Sequence, residues 1–275
     1  MKPESVPSFI VHRSSFIAHR FQMLTSTFIH APGVGLTTER KLWDAGIRDW
    51  DAFLDSPDEL PLGPGKREII TPVIEESRIR LAEHDHRWFA RALPASEHWR
   101  AAGEFSDKLA FLDIETTGSG THAHPTVVGI YDFAEGEYRH WVYGENLAEF
   151  TDFIDEFETI VTFFGTGFDL PFLQRWDQRI HWHQLHVDLC PLLRRLGYKG
   201  GLKRVEKQLG IERPYGIDGM DGMDAVRLWW QFKRGDEMAL DQLIAYNRED
   251  VVNMVSLLQT ASQKMMAASG FTALP

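Results

Sequence analysis

The fold is decided by the stretch Leu109-Ala110-Phe111-Leu112-Asp113-Ile114-Glu115-Thr116-Thr117-Gly118, an apolar run that gains two carboxylates just before a turn of small residues. Successive side chains of a β-strand point to opposite faces, so Asp113 and Glu115 share one face. Two like charges so close together repel each other, and burial adds to the cost. The pair therefore indicates a bound cation, of which a divalent metal ion is the simplest; the alternative is a solvated pair at a strand end.

Two later segments carry further oxygen donors. Phe168-Asp169 follows the apolar run at residues 159–164, and Tyr246-Asn247-Arg248-Glu249-Asp250 lies in a strongly helical C-terminal segment. Tyr246 and Asp250 are one helical turn apart and share a face. Carboxylates without a Cys or His cluster suit a hard ion such as Mg²⁺ or Mn²⁺, and such sets are typical of two-metal phosphoryl chemistry.

In this order, the three segments resemble the three exonuclease motifs of the DEDD superfamily, which has a ribonuclease-H-like fold. The resemblance covers roughly residues 108–258. In that superfamily the third motif carries either a His five residues before its last Asp or a Tyr four residues before it. Ala245 stands at the first position and Tyr246 at the second, so the chain resembles the tyrosine subtype, DEDDy.

The resemblance implies a metal-dependent 3′→5′ exonuclease that acts on a free nucleic-acid end and uses two Mg²⁺ or Mn²⁺ ions per active site. It implies that Asp113, Glu115 and Asp250 hold the ion that activates water, and that Asp113 also contacts the second ion. Asp169 would act mainly through bound waters, and Tyr246 would orient the attacking water. One departure stands out, because relatives often carry Asn in the segment before Phe-Asp, where this chain has Phe164.

The pattern of apolar runs and turns predicts the architecture. Strands are expected at residues 108–113, 126–133 and 138–143, followed by a helix at 147–157 with Asn146 as its N-cap, a strand at 159–164 and a helix that carries Asp169. Helices are expected near 188–196, 201–209, 224–233 and 236–259. We therefore expect an α/β ribonuclease-H-like mixed sheet flanked by helices at residues 101–275, and a smaller, mainly helical region at residues 1–100.

Composition limits the class of protein. With 275 residues, of which 43% are hydrophobic, the chain can bury a sizeable core. Its start lacks the apolar stretch of a signal peptide and no run is long enough to span a bilayer, so we expect a cytoplasmic protein without a membrane partner. Cys190 is the one cysteine, so no intrachain disulfide can form. A formal net charge of −11 argues against a protein that coats nucleic acid by bulk electrostatics.

One basic stretch runs against this acidic balance. Between Pro191 and Lys207 there are six basic residues and one acidic residue. The basic ones are Arg194, Arg195, Lys199, Lys203, Arg204 and Lys207. Local positive charge of this kind binds phosphates. Contacts to nucleic acid and ordinary solvated helix faces both remain open for these six side chains.

A Gly-rich turn precedes an N-terminal helix. Pro32-Gly33-Val34-Gly35 resembles the hairpin of helix-hairpin-helix DNA-binding motifs. There, Gly33 and Gly35 would let backbone N–H groups approach a phosphate at a helix N-terminus. The alternative is a plain turn that caps the helix. The segment before the turn, residues 25–29, has the composition of a strand rather than of the first helix of that motif.

Nucleic acid is the predicted partner, and the hairpin-like turn favours DNA over RNA. The expected substrate is a free end of single-stranded DNA. Two other functions remain open at this point. One is a non-catalytic nucleic-acid-binding module that keeps the fold. The other is a ribonuclease that trims RNA 3′ ends, which would share the chemistry and differ only in how the site meets a 2′-OH.

Overall fold

The fold is built on a five-stranded mixed sheet, seen in a computed structural model that describes residues 23–56, 61–63 and 65–271. The strands are β1 (Leu109–Thr116), β2 (Pro125–Asp132), β3 (Glu137–Val142), β4 (Thr159–Thr162) and β5 (Leu185–Asp188). Their order across the sheet is β3-β2-β1-β4-β5. β1 pairs antiparallel with β2 and parallel with β4, so it occupies the centre.

Ten α-helices are formed by the described residues. They are α1 (Leu36–Asp44), α2 (Trp50–Asp55), α3 (Lys66–Ala82), α4 (His86–Ala92), α5 (Phe150–Ile154), α6 (Asp169–Trp176), α7 (Leu189–Arg195), α8 (Leu202–Gln208), α9 (Gly222–Phe232) and α10 (Glu237–Ser269). Short 3-10 helices lie at Leu24–Ser26, Ala95–Arg100, Ser106–Lys108 and Leu147–Glu149.

Alternation along β1 divides the core between the two faces of the sheet. Ala110, Leu112 and Ile114 pack in one cluster with residues of α5 and α6. Phe111 belongs to the other cluster, together with apolar residues of α10 such as Met254. Because side chains alternate, Asp113 and Glu115 lie on the α10 side, as Phe111 does. The strand thereby aims its carboxylates at the long C-terminal helix.

The expected architecture is confirmed: a ribonuclease-H-like mixed sheet with flanking helices follows a mainly helical N-terminal region. Three local expectations were wrong. The Asn146 side chain accepts a hydrogen bond from the backbone of Val142 instead of capping a helix, and a 3-10 turn begins there. Residues 25–29 include the end of a short 3-10 helix and the start of a turn rather than a strand. α10 runs ten residues further than 259, because Ala261 and Met265 continue its buried face.

The N-terminal region shares its core with the sheet. Leu24, Trp43 and Phe89 belong to the same hydrophobic cluster as Phe111 and Met254. The predicted division near residue 100 stays a prediction, and residues 1–22, 57–60 and 64 of that region lie outside the described residues.

A buried ion-pair network fixes the region internally. The Arg100 guanidinium is almost fully buried and pairs with Glu39 at 2.9 Å and with Glu97 at 2.7 Å.

Among the described residues, no helix is both long and apolar enough to cross a bilayer.

Candidate active site

Three carboxylates converge where β1 meets α10. Asp113 and Glu115 come from β1 and Asp250 from α10, and each offers an oxygen that lies within 4.8 Å of the other two. Glu115 and Asp250 are buried, and Asp113 is partly buried. Strand alternation on one side and the helical repeat on the other therefore bring together residues that are more than 130 positions apart in the sequence.

Asp169 is contributed by the segment that follows the neighbouring strand, β4. β4 ends at Thr162, the chain turns through Gly165-Thr166-Gly167, and Asp169 is the first residue of α6. Its side chain is buried and lies outside the set of three convergent oxygens. Burial raises the pKa of Asp169 to about 7, opposed by hydrogen bonds from backbone N–H groups, including that of Ile114.

Burial and mutual repulsion disfavour the ionised form of the crowded carboxylates. Burial, then the nearby Asp250, raises the pKa of Glu115 to about 8. Burial likewise raises the pKa of Asp250 to about 6, although Arg213 acts against it. Burial and the charges of Asp250 and Glu115 raise the pKa of Asp113 well above its ordinary range. Each shift means that the ionised form lacks sufficient compensation from the protein alone.

Two cationic side chains, Arg213 and Lys203, lie at the edge of the carboxylate cluster. Arg213 Nη2 lies 2.5 Å from Asp250 Oδ1, and the same guanidinium donates two hydrogen bonds of 2.7 Å to Glu206. Glu206 and Arg213 are both buried, so this bidentate pair anchors the guanidinium. Arg213 therefore holds Asp250 from the side of α8.

The hydroxyl of Tyr246 lies beside these groups. It accepts a hydrogen bond from Lys203 Nζ, which also donates to the backbone carbonyl of Met220. Burial, followed by the charge of Asp250, raises the pKa of Tyr246, so the phenol stays protonated near neutral pH. Because its oxygen already accepts from Lys203, its own O–H remains available to donate.

Asn247 links α10 to the strand. Its Nδ2 donates to Asp113 Oδ2 at 3.0 Å and to the Asp113 carbonyl at 3.2 Å, and its Oδ1 accepts from the Tyr138 hydroxyl at 2.9 Å. Gly129 pairs with Asp113 in the sheet, and a Cβ there would lie 1.7 Å from Asn247 Oδ1. The absence of a side chain at Gly129 therefore lets α10 approach the carboxylates.

The residues fit a divalent metal ion. All convergent donors are hard oxygens, as Mg²⁺ and Mn²⁺ require. Glu115 Oε1 is buried and has no hydrogen-bond partner among the described residues. A cation would supply that partner, and it would favour the ionised form of every carboxylate whose pKa is raised.

The family of the chain is shown by comparison with protein-family models. A family model of the RNase_H superfamily matches residues 110–262, more than half of the chain. The chain belongs to the RNase_H superfamily. The matched residues include the three convergent carboxylates.

Among solved structures, this RNase_H superfamily protein is similar to a family B DNA polymerase from the hyperthermophilic archaeon Pyrobaculum calidifontis, with 18% identity and a TM-score of 0.45. The match covers 58% of this chain and 24% of the polymerase chain. The search of curated proteins found no match.

The six predicted basic residues of this superfamily member have different partners and surroundings in the structure. Lys203 contacts Tyr246, as described above. Arg195 turns to the N-terminal region, where it pairs with Glu97 at 2.8 Å, and Lys207 lies 3.5 Å from Asp218. Arg194 Nη2 lies 3.7 Å from Cys190 Sγ. Lys199 is exposed, and the side chain of Arg204 packs against Gly200.

Gly33 and Gly35 lie in an exposed turn at the start of α1. Gly33 has a φ of +72°, which favours glycine, and Gly35 is the N-cap of the helix. Lys66 Nζ donates to the Gly33 carbonyl at 2.9 Å, so a cation stands beside the turn.

Three residues near the site were missed from the sequence: Asn247, Arg213 and Asp188, whose charge acts on Asp169. Asn247 shares a helix face with Asp250, and that spacing could have indicated it. Asp188 immediately precedes an apolar helix, which is the position of an N-cap, and it does cap α7. Arg213 lies in a loop, where no periodic signal connects it to Asp250.

Proposed function

We propose that this protein is a metal-dependent 3′→5′ exonuclease of the DEDDy subtype that hydrolyses phosphodiester bonds from a free end of single-stranded DNA. The observation that supports it best is the convergence of Asp113, Glu115 and Asp250 beside the Tyr246 hydroxyl. Ionised carboxylates that are buried together destabilise the protein unless a cation compensates their charge. In a metal-dependent nuclease, the bound metal ions supply that positive charge and also take part in the hydrolysis.

Asp113, Glu115 and Asp250 would hold Mg²⁺ or Mn²⁺, with Asp169 beside them to complete a site for two ions. The bound ions would supply a water of lowered pKa and stabilise the charge that develops on the phosphate oxygens. The protein contributes geometry: Asn247 fixes the Asp113 carboxylate through a 3.0 Å hydrogen bond, and Arg213 fixes that of Asp250.

Tyr246 would position the attacking water. Its protonated hydroxyl accepts from Lys203, so its own proton can be donated in only a narrow range of directions. A hydrogen bond of fixed direction orients a water lone pair at little entropic cost when the substrate arrives.

The N-terminal region would anchor the strand. In this proposal, residues 1–100 form a phosphate-binding unit in which the exposed amides at Gly33 and Gly35, with Lys66 beside them, approach the DNA backbone. The basic side chains of residues 194–207 would add phosphate contacts nearer the site. Backbone contacts of this kind carry no sequence information.

The test is degradation of matched DNA and RNA oligomers labelled at either end. We expect Mg²⁺- or Mn²⁺-dependent release of mononucleotides from the 3′ end of DNA, which a chelator abolishes. Asp250→Asn should lower the rate by roughly 100-fold or more, since it removes a charged ligand. Asp241→Asn, an exposed position on the same helix, is the control and should retain the wild-type rate.

Three outcomes would contradict the proposal. Cleavage in the presence of chelator would exclude metal-dependent hydrolysis, and RNA degraded in preference to DNA would favour a trimming ribonuclease. Tight binding to DNA without hydrolysis by any variant would favour a non-catalytic binding module.

A further inference from the structure

Phe164 has an unusual backbone conformation. Its φ is +70°, and among the described residues only His84 and Phe164 combine a side chain with a positive φ. The left-handed region is uncommon for residues other than glycine and is costly for a bulky side chain. Such strain persists where the surrounding structure enforces it, and it is concentrated at functional sites.

Asp188 enforces this conformation. Its Oδ1 accepts from the backbone N–H of Phe164 at 2.8 Å, and its Oδ2 accepts from that of Thr166 at 3.1 Å. The same carboxylate caps α7 through the N–H of Cys190 at 3.1 Å. The loop between β4 and α6 is thus fixed to β5 and α7 by one side chain, so the position of Phe164 is set before any substrate binds.

The ring of Phe164 is directed outwards. Its neighbour Phe163 packs against the main hydrophobic cluster, whereas Phe164 is 54% exposed. A Cβ at Gly167 would lie 2.5 Å from the Phe164 Cζ, so the ring lies against the backbone of Gly167. An apolar ring that is held in place and open to solvent can stack on a planar ligand.

Phe164 lies at the same edge of the sheet as the carboxylates. β1, β4 and β5 are parallel, so their carboxyl ends meet at one edge of the sheet, which is where Asp113 and Glu115 lie. Phe164 follows the end of β4 at that edge. Gly167, which the ring touches, is two residues from Asp169, and two Cα–Cα steps span at most about 7.6 Å.

We propose that Phe164 is a stacking platform for one nucleobase of the substrate, next to the bond that is cleaved. This inference rests on the proposed nuclease function and adds the way in which the substrate is recognised. Every base has a π-face, so stacking tolerates any base and reads neither the sequence nor the sugar. Phe164 would therefore favour a single-stranded end with unpaired bases, while ribose and deoxyribose would be treated alike at that position.

The experiment places an abasic residue at each of the last three positions of a DNA oligomer in turn. In the wild type, one of these positions should lower kcat/KM by roughly 5- to 100-fold, the effect of losing one base–aromatic stack. Phe164→Leu should show nearly the same kcat/KM on abasic and normal oligomers at that position, because the platform is already absent. Phe164→Tyr keeps the π-face and should restore the wild-type ratio.

Leu and Tyr meet the same backbone strain as Phe, so the pair of variants separates stacking from folding; equal midpoints of thermal unfolding check this. Abasic penalties that are the same in the wild type and in Phe164→Leu at all three positions would overturn the inference.

A binding measurement keeps this test independent of turnover. 2-Aminopurine is placed at each of the last three positions in turn. At one of them its fluorescence should be quenched on binding to Asp113→Ala protein, and that quenching should be lost in Asp113→Ala/Phe164→Leu. If the wild type hydrolyses no oligomer, the proposed function fails, and the fluorescence comparison still decides whether Phe164 stacks. Equal quenching by both proteins would exclude stacking.

Discussion

Tyr246 offers the sharpest test of an individual atom. Tyr246→Phe removes the hydroxyl that contacts Lys203 but leaves the buried ring and all the carboxylates in place. We expect kcat to fall by roughly 10- to 1,000-fold, the range for one hydrogen bond that acts in the transition state. Calorimetry should show unchanged Mn²⁺ affinity, because no ligand is lost.

Tyr198→Phe is the matched control, since Tyr198 packs against the main hydrophobic cluster and contacts none of these groups. Equal loss of Mn²⁺ binding and of rate in Tyr246→Phe would show that the hydroxyl supports the fold of the site rather than the reaction.

Residue spacing in the sequence indicated two pairs of site residues, whereas Asp169 was indicated by its place after an apolar run. Asp113 and Glu115 were predicted to share a face by strand alternation, and Tyr246 and Asp250 by the helical turn, and the structure places them on facing elements. Arg213 lies in a loop, so no helical or strand periodicity indicates it. Its contact with Asp250 depends on how the loop after α8 packs against α10, which is set by tertiary contacts with Glu206.

The packing of α10 on β2 can be tested at Gly129. A Cβ added there would lie 1.7 Å from Asn247 Oδ1, in a buried interface that cannot expand without moving the helix. We expect Gly129→Ala to lower the free energy of unfolding by about 1–3 kcal/mol, the usual cost of overpacking. It should also lower Mn²⁺ affinity, because Asn247 would release the Asp113 carboxylate.

Urea unfolding and Mn²⁺ calorimetry measure these two effects. Gly120→Ala is the control, since a Cβ there has nothing within 4 Å. The double variant Gly129→Ala/Asn247→Ala should recover stability relative to Gly129→Ala, and failure to do so would place the strain elsewhere.

Elements with long, regular patterns were predicted, and those that depend on neighbours were not. β1, β2 and β3 carry continuous or alternating apolar residues, and the structure has strands there. β5 is four residues long, which is too short for the alternation of Leu185 and Val187 with polar residues to indicate a strand by itself. It forms because β4 offers a free edge with which Leu185 and Val187 can pair and pack.

Glu104 connects the beginning of the described chain to the segment before β1. Its Oε1 accepts from the backbone N–H of Leu24 at 2.8 Å, and its Oε2 is buried without a hydrogen-bond partner among the described residues. Burial raises the pKa of Glu104 from 4.5 to about 8. In this window the folded protein binds more protons than the unfolded chain, so stability should fall as the pH rises from about 4.5 to 8.

Glu104→Gln keeps the acceptor for Leu24 and removes the titration. Compared with the wild type, its free energy of unfolding should gain about 3 kcal/mol as the pH rises from about 5 to 8, on the scale of 1.4 kcal/mol per pKa unit. Urea unfolding at several pH values tests this. A constant difference between the two proteins would mean that Glu104 is ionised at every pH in this range.

The shared core decides how the role of the N-terminal region must be tested. Removing residues before 104 would expose Phe105 and Met254, which pack in a cluster with that region, so a truncation would confuse unfolding with loss of contacts. Point changes at the exposed turn avoid this. A Cβ at Gly35 meets nothing within 4 Å and the φ of Gly35 is −109°, so we expect the free protein to accommodate Gly35→Val.

If the amides of this turn bind a phosphate, Gly35→Val should raise KM on long single-stranded DNA and leave the cleavage of a dinucleotide unchanged, because the side chain blocks only the distant backbone contact. Lys66→Met should weaken binding and reduce the slope of log affinity against log salt by about one, since one cation–phosphate contact releases about one counterion. Gly120→Val, at another exposed glycine with open space around it, is the control. Wild-type affinities and slopes in both variants would leave the turn with a structural role, in which Val34 packs into the core and Gly35 caps α1.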